Sequence, residues 1–167
     1  MCIRDRNNIG VNEPVKLTWT SDQNITFEKI ITLDENYLFS VDQRVINNSG
    51  LSFDLYPYGL SKRQGIPEMQ NFFILHEGPL SITDGVLEEY DYDDLKDDKK
   101  IKHSSVGGWI GMTDKYWQTA IIPNQNEPVQ QTYSYSFVDN IDNFQTDIVG
   151  ERIAVSNNAS ISHNFKI

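Results

Sequence analysis

The sequence contains a single cysteine, Cys2, and no apolar run of membrane length. One cysteine excludes an internal disulfide framework and a cysteine-based zinc cluster. The longest apolar runs, NFFIL at 71 to 75 and TAIIP at 119 to 123, fall far short of the roughly 20 residues that a membrane helix requires. A basic n-region followed by an apolar stretch and a cleavage site is also missing, so we expect no secretion signal in this chain.

Basic residues are scarce as well. The 167 residues include 14 Lys and Arg against 24 Asp and Glu, which gives a formal charge of -10 at pH 7. This charge repels phosphate backbones and anionic lipids and argues against nucleic-acid binding. The chain is long enough for one core, so we expect one domain at 7–167 without an internal boundary. The first six residues, MCIRDR, resemble a translated sequencing-adapter artefact and are left out of the fold prediction.

Apolar and polar residues alternate with period two along most of the chain. In NITFEKIITL, Ile25, Phe27, Ile31 and Leu33 share one face. The same alternation occurs in segments 36–47, 51–60, 130–138 and 159–167, and no segment carries a sustained helical stripe. The pattern predicts an all-β fold, an antiparallel sandwich with short turns. The charged segment 84–100 interrupts it and is predicted to be a long loop or a short helical turn.

The clustered carboxylates of the charged segment are a candidate calcium site, because hard cations bind several carboxylate oxygens. The candidate ligands are Asp91, Asp93, Asp94, Asp97 and Asp98. Their spacing does not match the known calcium loop, because no glycine and no closing bidentate glutamate follow. We predict a solvated charged segment and no metal site.

Catalytic motifs are weak. His76 and Glu77 are adjacent and could form an acid and base pair, but neighbouring residues on an extended strand point in opposite directions. The chain has no G-x-S-x-G elbow, and Gly107 and Gly108 are not followed by the lysine of a phosphate loop. We therefore predict no catalytic residue, no cofactor and no enzyme activity.

The stretch GGWIGMTDKYW, residues 107 to 117, is dense in glycine and aromatic residues. The two glycines permit backbone conformations that are closed to other residues, and the sequence around TDK indicates a hairpin of two strands. Trp109, Tyr116 and Trp117 could stack on a ligand, but aromatic residues on strands more often fill the core. We predict that they face the core.

Three segments together resemble a known family. They are LYPYGLSKRQGIPE (55 to 68), FFILHEGPLSITDGVLEEYDYDDLK (72 to 96) and GGWIGMTDKYWQTAIIPNQ (107 to 125). In this order they are similar to the periplasmic domain of YidC membrane protein insertases, particularly those of alphaproteobacteria. The resemblance implies an antiparallel β-supersandwich similar to galactose mutarotase-like folds.

The resemblance also implies a function. The chain is expected to be a partial, non-catalytic domain that lacks its first strands, the membrane anchor and the membrane-embedded region of its parent. It would support insertion and folding of inner-membrane proteins on the periplasmic face of the inner membrane. The implied partners are the Sec translocon components SecD and SecF and nascent membrane proteins, all reached through the full-length parent.

Alternatives from other classes stay open. A mutarotase-like domain that binds or epimerises sugars would use His76, Glu77 and the tryptophans, and a purely structural spacer would contact no partner. Within GLSKRQGIPEMQ, Lys62, Arg63 and Gln64 combine positive charge with turn residues in an acidic chain. We predict that these three residues form a partner-contact loop, because loops of this kind often carry contacts; an ordinary connection is the alternative.

Overall fold

A computed structural model describes residues 3–4, 9–66 and 76–167, and within these residues the regular secondary structure is antiparallel β-strands and one short helix. The strands are β1 (Ile3–Arg4), β2 (Val15–Thr20), β3 (Ile25–Leu33), β4 (Phe39–Asn47), β5 (Phe53–Leu55), β6 (Tyr58–Gln64), β7 (Gly78–Thr83), β8 (Val86–Glu89), β9 (Lys100–Val106), β10 (Trp109–Thr113), β11 (Gln118–Ile121), β12 (Pro128–Val138), β13 (Ile141–Gly150), β14 (Ile153–Val155) and β15 (Ala159–Lys166). A short helix, α1 (Tyr92–Asp98), precedes β9. The predicted all-β, antiparallel sandwich class is confirmed.

The chain separates into two compact units. The first comprises Met1–Pro57 and Glu151–Ile167, and the second comprises Tyr58–Gly150. The assignment of residues 1–6 to an artefact and of 7–167 to one partial domain stays a prediction.

The first unit contains a sheet of order β1-β2-β3-β4-β15 and a two-stranded ribbon of β5 and β14. Its hairpin between β3 and β4 forms where the sequence predicts it, because Asp34 Oδ1 accepts hydrogen bonds from the backbone N–H groups of Asn36 and Leu38. Asn47 is buried, and its Nδ2 donates to the carbonyl oxygens of Leu51 and Val155. These bonds connect the end of β4 to the segment before β5 and to the end of β14.

The second unit is built from two four-stranded sheets, of orders β6-β13-β12-β9 and β11-β10-β7-β8. Ile110, Tyr133, Phe144 and Ile148 are fully buried within it. Gln131 is also fully buried on β12, and its side-chain amide Nε2 donates to the carbonyl oxygen of Ile82 on β7 at 3.1 Å. Apolar packing and this polar link therefore both tie one sheet to the other.

The charged segment before β9 contains helix α1, which is one of the two outcomes predicted for it. The Asp91 backbone N–H donates to the Asp94 carboxylate at 3.2 Å at the N-terminus of the helix. Tyr92 and Leu95 are buried, and the Tyr92 ring packs edge-on against Phe144 with centroids 4.6 Å apart. The Asp91 and Asp94 carboxylates therefore cap the N-terminus of the helix, while the buried Tyr92 and Leu95 side chains anchor it in the second unit.

Candidate functional site

A cleft of about 410 Å³ lies in the second unit, between β6 and the β10–β11 hairpin. Its volume is within the range of roughly 300–1,000 Å³ that is usual for ligand sites. It is lined by Ser61, Lys62, Arg63, Gln64, Met112, Thr113, Asp114, Trp117 and Thr119. The cleft thus brings together the predicted contact residues at 62–64 and the GGWIGMTDKYW stretch.

Lys62, Arg63 and Gln64 belong to strand β6, so the prediction that they form a loop is wrong. They pair antiparallel with Gln145, Phe144 and Asn143 of β13, respectively. The turn begins only after them, where Gly65 has a positive φ of 75°. The three residues nevertheless line the cleft, and their predicted role in partner contact stays a prediction.

The other wall of the cleft is the predicted hairpin of β10 and β11, which pair from Ile110↔Ile121 to Thr113↔Gln118. Asp114 and Trp117 close its turn through reciprocal backbone hydrogen bonds, Asp114 N to Trp117 O at 2.7 Å and the reverse at 3.4 Å. The glycines that enter the hairpin, Gly107 and Gly108, have φ values of 67° and 74°, as predicted.

The prediction that the hairpin aromatics fill the core is wrong for two of the three. Tyr116 and Trp117 are 77% and 79% exposed, while Trp109 is half-buried. The physical reason is that the paired strands end at Thr113 and Gln118, so Tyr116 and Trp117 lie in the turn beyond the sheet. Trp117 is placed at the mouth of the cleft instead.

An ion pair joins the two walls, with Arg63 Nη1 bonded to Asp114 Oδ2. The Arg63 and Asp114 side chains are 30% and 23% exposed, so the pair is partly shielded from water. Arg63 Nε also donates to the carbonyl of Gly65 at 3.3 Å. Nearby, the hydroxyl groups of Ser61 and Thr119 lie 3.1 Å apart. These contacts between the two walls were not predictable from the sequence, because they join residues more than 50 positions apart in the chain.

The Tyr92 hydroxyl forms part of the electrostatic surroundings of this ion pair. Burial is the main cause that raises the pKa of Tyr92 to about 12; the Arg63 guanidinium opposes this rise and the Asp114 carboxylate adds to it. Neither the Tyr92 hydroxyl nor Asp114 Oδ1 makes a hydrogen bond of standard geometry. Tyr92 therefore stays protonated and neutral at physiological pH beside a charged pair.

The remaining candidates have local structural partners. His76 Nε2 lies 3.2 Å from the carbonyl oxygen of Pro79, and its Nδ1 lies 3.7 Å from the Asp91 carboxylate. His103 Nε2 lies 2.9 Å from the Tyr90 hydroxyl. No hydrogen bond or ion pair joins His76 to Glu77 within the described residues. Across 9–66 and 76–167, no cluster of three or more His, Cys, Asp or Glu residues is arranged to hold a metal ion.

The architecture and the cleft together define the class of protein: an all-β domain of antiparallel sheets with a cleft in its second unit. Comparison with known proteins identifies the family. The sequence profile of the YidC periplasmic domain matches residues 5–167, and the chain belongs to this family.

Individual relatives agree with the profile. The chain is 39% identical over 166 residues to the membrane protein insertase YidC of Pelagibacter ubique, which covers 99% of this chain and 29% of that protein. It is 34% identical over 154 residues to that of Bradyrhizobium diazoefficiens, covering 92% and 25%. For Rickettsia canadensis the identity is 38% over 142 residues, covering 84% and 25%. The chain thus spans between a quarter and three-tenths of the length of these curated relatives.

These comparisons confirm the predicted family resemblance. The relatives are named as membrane protein insertases, which are not enzymes, and this confirms the prediction that the chain is not one. Of the part of the chain that the structure describes, no helix has both the length and the apolar character needed to cross a bilayer.

Proposed function

We propose that the chain acts as an accessory domain of a membrane protein insertase and supports membrane-protein insertion and folding by contacting Sec translocon components. The parent is a multi-pass protein of the bacterial inner membrane, and this domain lies on its periplasmic face. The partners are SecD, SecF and nascent membrane proteins. The observation that carries the proposal is the family match over residues 5–167, together with a cleft built from the predicted contact residues.

The charge distribution at the cleft supports a contact role. Lys62 and Arg63 lie side by side on strand β6 and Lys115 lies in the turn of the β10–β11 hairpin, whereas the whole chain carries a formal charge of -10. A basic surface on an acidic protein orients an approaching acidic partner, because complementary charges favour one docking geometry over others. Trp117 adds a large exposed aromatic surface beside these charges, and such residues often anchor protein interfaces.

The test is co-purification of SecD and SecF with the full-length insertase that carries this domain. We expect Lys62→Glu to reduce the recovered SecD and SecF several-fold, because the substitution reverses a charge at the contact surface. The matched control is Lys102→Glu. Lys102 is an exposed residue on β9, at the opposite edge of the same sheet. Equal recovery from both variants and the unsubstituted protein would contradict the proposed contact.

Sugar binding is a second candidate, favoured by the exposed Trp117 beside the hydroxyl and carboxylate groups of the cleft. Aromatic faces with polar groups nearby suit the alternating apolar and hydroxylated faces of a sugar. Titration with galactose tests this alternative. Saturable, galactose-dependent tryptophan fluorescence that is lost in Trp117→Phe would support it, and an unchanged spectrum would dismiss it.

A further inference from the structure

The pairing of β6 with β13 determines which backbone N–H and C=O groups of β6 point toward β13 and which point to the free edge of the sheet. Gly65 N donates to the carbonyl of Asp142 at 2.8 Å, which makes Gly65 and Asp142 a hydrogen-bonded pair. Because such pairs alternate in antiparallel strands, Arg63 and Ser61 also bond toward β13. The backbone N–H and C=O groups of Lys62 and Gln64 therefore point to the other side of the strand.

That other side is an open edge within the described part of the chain. β6 is an outer strand of its sheet and pairs only with β13 among residues 3–4, 9–66 and 76–167. No other backbone hydrogen bond of Lys62 or Gln64 occurs in these ranges. An open edge presents donors and acceptors at the spacing of an extended strand, and peptides can bind there by adding a strand.

The two faces of this edge differ in chemistry. Arg63 and Ser61 project toward the β10–β11 hairpin, as the Arg63–Asp114 and Ser61–Thr119 contacts show. Side chains alternate along a strand, so Lys62 projects from the opposite face. A strand added to β6 would consequently place every second side chain at the cleft, beside Trp117, and the intervening side chains beside Lys62.

We propose that this edge binds an extended peptide segment of a partner in which apolar and acidic residues alternate. The apolar side chains enter the cleft against Trp117 and the acidic side chain opposite Lys62 forms a cross-strand ion pair with it. The main-chain bonds to Lys62 and Gln64 supply the register. The inference rests on the proposed function, because it defines the chemistry of the partner segment at the same residues.

The charge of the site favours this occupant over a neutral or basic strand. Lys62 has no acidic residue opposite it on β13, since its register partner is Gln145. An acidic residue on the added strand would stand directly opposite Lys62 on its free side. Opposite charges at such positions stabilise a strand pair by roughly 0.2–1 kcal/mol, which corresponds to as much as about fivefold in affinity.

A fluorescein-labelled peptide tests the inference by fluorescence anisotropy with the 167-residue chain. The peptide alternates Phe or Val with Glu or Thr over seven positions, the length of β6, with Glu at the centre. We expect saturable binding. A peptide of the same composition in which the apolar residues are contiguous should bind at least about tenfold more weakly, since its side chains cannot sort onto two faces.

Backbone methylation of the peptide tests strand addition without altering the protein. Residues opposite Lys62 and Gln64 direct their N–H groups to β6 in an antiparallel addition, whereas the intervening residues direct theirs to solvent. N-methylation at the Glu and Thr positions should therefore abolish binding, and N-methylation at the Phe and Val positions should preserve it. Equal effects of the two methylation patterns would overturn strand addition as the mode of binding.

Protein variants test the two faces. Lys62→Glu should weaken the Glu peptide about 3- to 10-fold and should strengthen a peptide with Lys at the centre by a similar factor. Trp117→Ala should weaken both peptides, and Lys102→Glu should change neither. Circular dichroism confirms that each variant is folded. Loss of binding without the reversed preference in Lys62→Glu would overturn the cross-strand pair.

The outcomes separate this inference from the proposed function. If no alternating peptide binds while SecD and SecF recovery still depends on Lys62, the inference is wrong and the proposed function stands. If the peptides bind as expected while SecD and SecF recovery is unaffected by Lys62→Glu, the proposed Sec contact is wrong and the peptide site stands. Saturable binding of galactose without binding of the peptides would overturn the inference in favour of a sugar site.

Discussion

The ion pair between Arg63 and Asp114 should stabilise the second unit measurably, because it is partly shielded from water. The two side chains are 30% and 23% exposed, and Arg63 Nε is also hydrogen-bonded to Gly65. Exposed pairs contribute roughly 0.2–1 kcal/mol, and breaking a fully buried pair costs about 3–5 kcal/mol. For this intermediate environment we expect Asp114→Asn to lower the free energy of unfolding by about 1–2 kcal/mol, with a coupling energy near 1 kcal/mol.

A double-mutant cycle of Arg63→Gln and Asp114→Asn, followed by urea unfolding, measures that coupling energy. The chain supplies a matched control in Arg152 and Asp54, whose side chains are 62% and 51% exposed although Nη1 and Oδ2 lie only 2.9 Å apart. We expect the control pair to couple by less than about 0.5 kcal/mol. A coupling for Arg63 and Asp114 no larger than that of the control would refute the argument that shielding strengthens the pair across the cleft.

Three further changes test the packing of the second unit. Because burial raises the folded-state pKa of Tyr92 to about 12, against 10.0 for the solvent-exposed tyrosine of the unfolded chain, its protonated form stabilises the fold below pH 10 and this contribution is lost as the pH rises through 12. Urea unfolding between pH 9 and pH 12 should show a steeper loss of stability for the unsubstituted chain than for Tyr92→Phe, and parallel curves would argue against this assignment. Leu95→Ala should lower the free energy of unfolding by about 2–5 kcal/mol, because Leu95 is fully buried. As a control in the same urea assay, Val138→Ala should lower it by less than about 0.5 kcal/mol, because Val138 is 53% exposed. Gly111→Ala should cost at least about 1–3 kcal/mol, since the added methyl group would clash with the backbone carbonyl of Thr119; a thermal melt that matches the parent chain would contradict this clash.

Period-two alternation predicted the fold class because most strands bury one face. In β3, Ile25 and Leu33 are buried and lie on the face that the alternation identifies. The hairpin at 107–121 was also predictable, since Gly107 and Gly108 take positive φ values that mark its entry. Local sequence was sufficient in both cases, because each feature depends on neighbouring residues.

The second half of strand β6, at Lys62, Arg63 and Gln64, was mistaken for a loop because three consecutive polar side chains there hide the usual alternation. Tyr58 and Leu60 are 40% and 49% exposed, and the alternate positions are occupied by Gly59, Ser61 and Arg63. The strand exists because it pairs with β13, which lies about 80 residues further along the chain. A long-range pairing of this kind leaves no trace in the composition of the segment itself.

The site was only half predictable for the same reason. The segment with Lys62, Arg63 and Gln64 was identified by the charges of its first two residues. The residues on the other side of the cleft, Asp114 and Trp117, were expected to belong to a turn and a core. An exposed tryptophan is unusual enough to indicate a binding surface, yet its exposure depends on where β11 begins. A shift of one or two residues in a predicted strand boundary decides whether Trp117 faces the core or the cleft.

The most direct test of the central claim is photo-cross-linking in cells with the full-length insertase that carries this domain. A photoreactive amino acid is placed at Gln64, on the open edge of β6, or at Lys102, on the opposite edge of the same sheet. We expect light-dependent adducts with SecD or SecF from Gln64 and none from Lys102. Adducts from Lys102 alone, or equal adducts from both positions, would contradict the assignment of the β6 edge as the contact surface.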